Sequence, residues 1–203
     1  MDTARRELET VREQASACRA CGLWQDATQT VFGEGPVPAA MMLVGEQPGD
    51  QEDRAGHVFV GPAGRVLDEA LQTVGVKRGD TYLTNAVKHF KWQPRGKRRI
   101  HDRPNRTEMV ACRPWLDREL ELVRPQVLVL LGATAAQTLL GSSFRLTHHR
   151  GEVLRVPDVQ AQVLATSHPS AVLRAVDSDA RRLSMQQLVD DLQVAADLLA
   201  QPA

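Results

Sequence analysis

Apolar positions along this chain follow two rhythms. Runs at 41–44, at 126–131 (after the leading Gln126) and at 163–166 have almost no polar break. Such runs read as strands buried on both faces. Residues 81–87 form a further strand ending in polar positions, and 153–156 another. Between them, apolar residues recur at helical spacing over 4–17, 62–74, 108–123, 133–140 and 181–199. In the second of these, Val66, Leu67, Ala70, Leu71 and Val74 share one face. Residues 88–105 show neither rhythm and are expected to form a loop.

Strands alternating with helices predict an α/β fold, a three-layer α/β/α sandwich around a mainly parallel central sheet. There is no internal repeat and no break in composition, so 1–203 is expected to be a single domain. In sheets of this kind ligands bind beyond the carboxyl ends of the strands. Glu46, Gln47, Asn85 and His168 all follow strands, so distant segments are expected to converge on one pocket.

Composition adds one constraint. The 25 basic and 25 acidic residues give zero formal net charge, with 42% hydrophobic residues. The charge is unevenly spread: Lys88, Lys91, Arg95, Lys97, Arg98, Arg99, Arg103 and Arg106 face only Asp102 in their stretch. A neutral protein with one basic segment suits a surface that tracks phosphates. No run approaches the roughly 18 apolar residues of a membrane span, so no membrane partner is expected. Three cysteines cannot all pair, which favours a reducing, cytoplasmic setting.

Several motifs could carry chemistry. Cys18-x-x-Cys21 fits a redox dithiol, half of a zinc site or unrelated buried cysteines, with Cys112 and His89 as further candidate ligands. Gly45-Glu46-Gln47-Pro48-Gly49 is a rigid turn after a strand; it is either a plain connection or part of a site. Asp50 begins the polar stretch that follows, and Phe59 in its glycine-rich part is either a base-stacking platform or core. Asn85 offers a donor and an acceptor together, the pair needed to read a pyrimidine edge, although capping a turn is its commoner role. His168 precedes Pro169 and so has an extended, fixed backbone. In Lys97-Arg98-Arg99-Ile100-His101 a histidine stands inside a basic run, either as part of a phosphate-binding surface or as a reacting group.

Together and in this order, these motifs resemble the uracil-DNA glycosylase superfamily over about residues 15–199. The resemblance is to its iron-sulfur family 4 branch, and within that to the uracil-DNA-crosslinking X class. The marks are Gln47 within Gly45–Gly49, the 97–101 insertion and His168-Pro169-Ser170. The resemblance implies a 4Fe-4S cluster on Cys18, Cys21, His89 and Cys112. It implies that His168 faces uracil O2, Asn85 reads the O4/N3 edge, Phe59 stacks on the ring, and Gln47 and Asp50 border the pocket. Glu46 would lie by the sugar and His101, while Lys97, Arg98, Arg99 and Ser170 would hold the DNA backbone. The implied function is excision of uracil from DNA, single strands at least as readily as duplex, with free uracil as product. His101 would then trap the deoxyribose C1′. The expected assembly is a monomer. Three rivals stand beside it: a family 4 glycosylase with ordinary turnover, a non-catalytic uracil-DNA-binding iron-sulfur module, and a zinc-stabilised α/β domain.

Overall fold

The computed structural model describes residues 3–157 and 159–201. Its chain order is helix α1 (Thr3–Ser16), strand β1 (Met41–Gly45), helices α2 (Asp50–Ala55) and α3 (Pro62–Thr73), and strand β2 (Thr81–Asn85). Strands β3 (Trp92–Arg95) and β4 (Arg98–His101) follow, then helix α4 (Arg106–Val123), strand β5 (Val127–Leu131) and helices α5 (Ala133–Leu140) and α6 (Leu146–His149). The chain closes with β6 (Val153–Leu154), β7 (Gln162–Thr166), α7 (Ser170–Leu173) and α8 (Ser178–Ala200).

Five strands form one sheet in the order β2-β1-β5-β7-β6. Its first four members are parallel, and only the β6–β7 pair is antiparallel. Alternation within each strand sorts the side chains to two faces. Met42, Val44, Leu128, Leu130, Val163 and Ala165 pack with the apolar faces of α1, α4 and α5. Met41, Leu43, Val127, Val129, Leu131 and Leu164 pack with α3 and α8. Each fully buried Leu or Val contributes about 2 kcal/mol of transfer free energy, and both faces need that cover. The three layers and mainly parallel sheet agree with the reading of the apolar runs. No helix among the described residues is long and apolar enough to cross a membrane.

One expectation fails. The stretch read as a loop over 88–105 contains an antiparallel hairpin, in which Trp92 pairs with His101 and Arg95 with Arg98. Its turn is Gly96-Lys97, and Gly96 has φ +60, as a II′-type turn requires of its first central residue. Apolar alternation is missing because charge, not oil, fastens this ribbon to the body. Lys88 also departs from its place in the basic run. It is buried, and its ammonium lies 2.5 Å from the buried Glu119 carboxylate. Thr84, Tyr82 and the Gly33 N–H complete the acceptor sites of Glu119. Lys88 Nζ also donates to the Asn85 carbonyl at 2.7 Å.

Candidate active site

Chain order sets the location of the site. From β1 the chain runs outward to β2, and β5 then returns to the other side of β1, so the winding reverses between β1 and β5. A crevice opens at such a switch point beyond the carboxyl ends of the strands. Glu46 leaves β1 there, and Thr134 opens α5 after β5; the Thr134 hydroxyl donates to Glu46 Oε2 across the crevice. Asn85 ends β2 beside Gly45, its register partner. His168 follows β7, whose Thr166 carbonyl accepts the Gly132 N–H at 2.8 Å.

His168 has a defined tautomer. The Ser170 N–H lies 3.2 Å from His168 Nδ1 and can only donate, so Nδ1 accepts and the ring proton resides on Nε2. Arg174 donates to Ser170 Oγ at 2.7 Å, which leaves that hydroxyl free to donate to Nδ1 at 2.8 Å. Burial pushes the His168 pKa down to about 4, with Arg174 and His101 acting in the same direction and Glu46 against. His168 is therefore a neutral N–H donor at neutral pH. Ser170, expected at the DNA backbone, has its hydroxyl between this histidine and Arg174.

Phe59 is 6% exposed and packs in the core, while its ring lies 6.3 Å from that of His168, the planes 26° apart. The core reading of this residue therefore holds. Its φ of +53 is rare for a bulky residue and stores of order 1–2 kcal/mol of strain, a common mark of a functional wall.

The hairpin presents His101. Residues two apart on a strand share a face, so Arg99 and His101 both look toward the body while Arg98 and Ile100 look away. Arg99 binds Asp50 at 2.5 Å and Asp53 at 2.7 Å, and its guanidinium lies over the rings of Phe90 and Trp92. Burial opposes ionisation of Asp50, but hydrogen bonds from Arg54 and Arg99 outweigh it and hold the carboxyl below its usual range. Asp50 is thus a hairpin anchor, a use the sequence reading did not foresee for it or for Arg99.

Gln47 grips the hairpin at both roots. Its Nε2 donates to the Lys91 and Asp102 carbonyls at 3.1 Å each, and its Oε1 accepts the Lys91 N–H at 3.2 Å. With the ribbon held so, His101 Nε2 stands 3.2 Å from Glu46 Oε1. The His101 side chain is half exposed at the mouth of the crevice; Glu46 lies deeper. Burial works against the Glu46 charge, yet hydrogen bonds from His101 and Thr134 and the proximity of His101 and His168 keep its pKa below the usual carboxylate value. Arg98, Lys97 and Arg95 remain exposed on the outer side of the ribbon.

A second cluster lies behind the hairpin. Cys21, Cys112, Met109 and Trp115 share one small apolar core with Leu23 and Val87. Trp115 Nε1 donates to Cys18 Sγ at 3.3 Å, and the Lys88 N–H donates to Cys112 Sγ at 3.2 Å. Burial holds the Cys112 thiol up at about 11, and burial likewise raises Cys21. His89 follows Lys88, with its Nε2 2.9 Å from Thr30 Oγ1; burial, then Arg19, lowers its pKa and keeps it neutral. Among the described residues no group of three or more His, Cys, Asp or Glu is drawn close enough to hold a single metal ion. Three thiols and a neutral imidazole, with N–H donors already aimed at two sulfurs, fit an iron-sulfur cluster by donor chemistry.

The sequence reading gave no site role to Thr134, Asp53, Thr30 and Trp115, and took Arg103 only as one charge of the basic segment. Thr134 had a visible signal, since a hydroxyl at the first turn of a helix after a glycine-ended strand faces the strand ends. The others act from distant segments without a local pattern.

A neutral histidine donor, an amide at a strand end and a basic ribbon thus gather where the winding of the sheet reverses. Residues 32–193 match the family described as "Uracil DNA glycosylase superfamily", and the chain belongs to that superfamily. It is 37% identical over 174 residues to a type-4 uracil-DNA glycosylase of Pyrobaculum aerophilum, covering 83% of this chain and 85% of that one. With a type-4 uracil-DNA glycosylase of Thermotoga maritima it shares 35% identity over 189 residues, 93% of this chain and 94% of that one. A type-5 uracil-DNA glycosylase of Pyrobaculum aerophilum is 32% identical over 207 residues, 93% of this chain and 85% of that one.

Proposed function

We propose that this protein excises uracil from DNA and that His101 then captures the exposed sugar carbon. The type-4 and type-5 relatives support the first half. The second rests on one observation: the His101 ring nitrogen stands 3.2 Å from the Glu46 carboxylate at the crevice mouth, held there by Gln47 and Arg99.

Uracil must leave the base stack before its glycosidic bond is reached, and a single strand demands less unstacking than a duplex. In the crevice Phe59 supplies a wall for the ring, and the Asn85 amide can both donate to and accept from the O4/N3 edge. Cleavage passes through a sugar with cation character and a departing uracil anion, as in glycoside hydrolysis. A neutral Nε2–H of His168 stabilises the anion at O2, where one preorganised donor is worth about 2.7–4 kcal/mol. The Glu46 carboxylate stabilises the sugar cation. A lone pair on the His101 ring bonds to C1′ as uracil departs with the glycosidic electron pair. The imidazolium so formed loses its remaining N–H proton to Glu46 or water. An imidazole at contact distance outcompetes water through its effective concentration and nucleophilicity.

Cys18, Cys21, His89 and Cys112 would hold a 4Fe-4S cluster, whose contribution is to tie α1 and the root of the hairpin to the core. Lys97 and Arg98 would meet phosphates.

The experiment is a denaturing gel with a labelled single-stranded oligonucleotide carrying one uracil. A heat-stable shifted band that His101→Gly abolishes, with uracil release intact, is the expected result. A second reading, favoured by the likeness to type-4 relatives, lets water capture the sugar so that the enzyme turns over. It predicts an alkali-labile abasic site and no shifted band.

A further inference from the structure

Glu46 has two carboxylate oxygens, and the chemistry above uses only the one facing His101. The other is held from an unexpected direction. Thr134 is buried, and its hydroxyl has two neighbours: Arg103 Nε at 3.0 Å and Glu46 Oε2. A guanidinium N–H donates and never accepts, so the Thr134 oxygen must accept from Arg103 and its own proton must point to Glu46. Arg103 is in turn oriented. Its Nη2 donates to Gln137 Oε1 at 3.2 Å, and the Gln137 amide is fixed because its Nε2 donates to the Phe144 carbonyl at 3.2 Å. Donors and acceptors match at every link: Arg103 donates to both Gln137 and Thr134, Thr134 donates to Glu46, and the other Glu46 oxygen accepts from His101. Thr134 and Gln137 lie three apart on α5 and so share a face. Arg103 lies two residues beyond β4, so the relay joins the exit of the hairpin to the far wall of the crevice.

We propose that Thr134, directed by Arg103, is the positioning residue that fixes the Glu46 carboxylate against the sugar and His101. This inference rests on the reading of Glu46 as the carboxylate facing the sugar, but not on covalent trapping. With the hydroxyl removed, Oε2 loses its partner, the carboxylate can rotate, and His101 loses its reference point. Groups facing Glu46 are His101 from the end of β4, His168 from the loop after β7 and Thr134 from α5, with the Arg103 charge behind the hydroxyl. Burial aside, a hydrogen bond that favours the ionised form lowers its pKa, so losing it moves the Glu46 titration upward.

The test compares Thr134→Val, Thr134→Ser and Arg103→Met with the wild-type protein. Single-turnover uracil release and adduct formation are followed on a uracil-containing single strand, with enzyme in excess, from about pH 5 to about pH 8. Thermal midpoints are recorded in parallel. In Thr134→Val, release should slow roughly tenfold or more, the scale of one hydrogen bond to a charged group. Its acid limb should move to higher pH. Thr134→Ser should restore both to near wild-type, and Arg103→Met should move the limb the same way by less. An unchanged acid limb and rate in Thr134→Val overturns the proposal. So does a serine variant as slow as the valine one at equal thermal stability. Trapping is judged separately in the same gel: if wild-type protein releases uracil without an adduct, His101 capture falls, while Thr134 is still judged on release.

Discussion

Gly45 and Asn85 are register partners on adjacent parallel strands, and a Cβ built on Gly45 would stand 2.3 Å from Asn85 Oδ1. The same Cβ would lie 2.8 Å from the Phe59 ring, so one missing methyl lets the amide and the aromatic wall meet over the strand end. Gly45→Ala is therefore expected to cut uracil excision by at least tenfold, while the thermal midpoint falls by only a few degrees, as for about 1 kcal/mol. Single-turnover release beside a melting curve checks this. Normal release with the alanine in place would mean that Asn85 does not read the base.

His168→Asn should lower excision by about a hundredfold or more, since a preorganised donor to a developing anion is lost. It should also change the dependence of stability on pH. The histidine binds its proton near the ordinary value of about 6.5 when unfolded but only near about 4 in the fold, so between those values the unfolded chain holds more protons. Stability from this group is fully present above about pH 6.5 and is lost as pH falls toward 4, at most about 3 kcal/mol. Urea midpoints at about pH 7 and about pH 5 should therefore differ less in the variant. Equal slopes in the two proteins would contradict the burial of a neutral ring.

Gln47 makes three hydrogen bonds to the hairpin roots. In Gln47→Ala the Lys91 N–H and the Asp102 carbonyl lose those partners, a cost of about 1–3 kcal/mol confined to the ribbon's attachment. Adduct yield should drop more than uracil release does, because His101 is displaced while Asn85 and His168 are not. Equal loss of both would place Gln47 at the base rather than at the ribbon.

Arg98 and Arg99 are neighbours with opposite assignments. Arg98→Gln should shallow the dependence of log binding on log salt by about one unit, as expected when a phosphate contact is lost. Arg99→Gln should leave that slope almost unchanged, because its charge is already met by Asp50 and Asp53, and should instead reduce adduct formation. Binding isotherms over a salt series decide it. A matching loss of slope in both variants would show that Arg99 leaves its carboxylates for DNA.

Much of this fold could be read from the chain because its strands are apolar on both faces. Met41–Gly45 and Val127–Leu131 could hardly be anything else once flanked by amphipathic helices. Residues that converge from strand ends were legible for the same reason: Glu46, Asn85 and His168 follow from knowing where parallel strands stop. The hairpin was not legible, since its inward face is Arg99 and His101 rather than Val and Ile, and its anchors Asp50 and Asp53 lie more than 45 residues upstream. Lys88 was misjudged for a related reason. A lysine is read as solvent-facing until its partner is known, and Glu119 is separated from it by 31 residues and half a helix. The contact of the Ser170 hydroxyl with the histidine two residues earlier had no signal of its own in the sequence.

The ribbon carrying His101 has a two-residue turn and only four pairs. Because facing alternates at every residue, deleting or inserting one amino acid between Arg98 and His101 would swap which side chains meet the body. The histidine would then point outward and a neighbour would occupy the crevice mouth. Whether His101 meets Glu46 at all is thus a matter of parity in the ribbon's residue count. A codon gained or lost in this ribbon would throw it like a switch, with no graded intermediate.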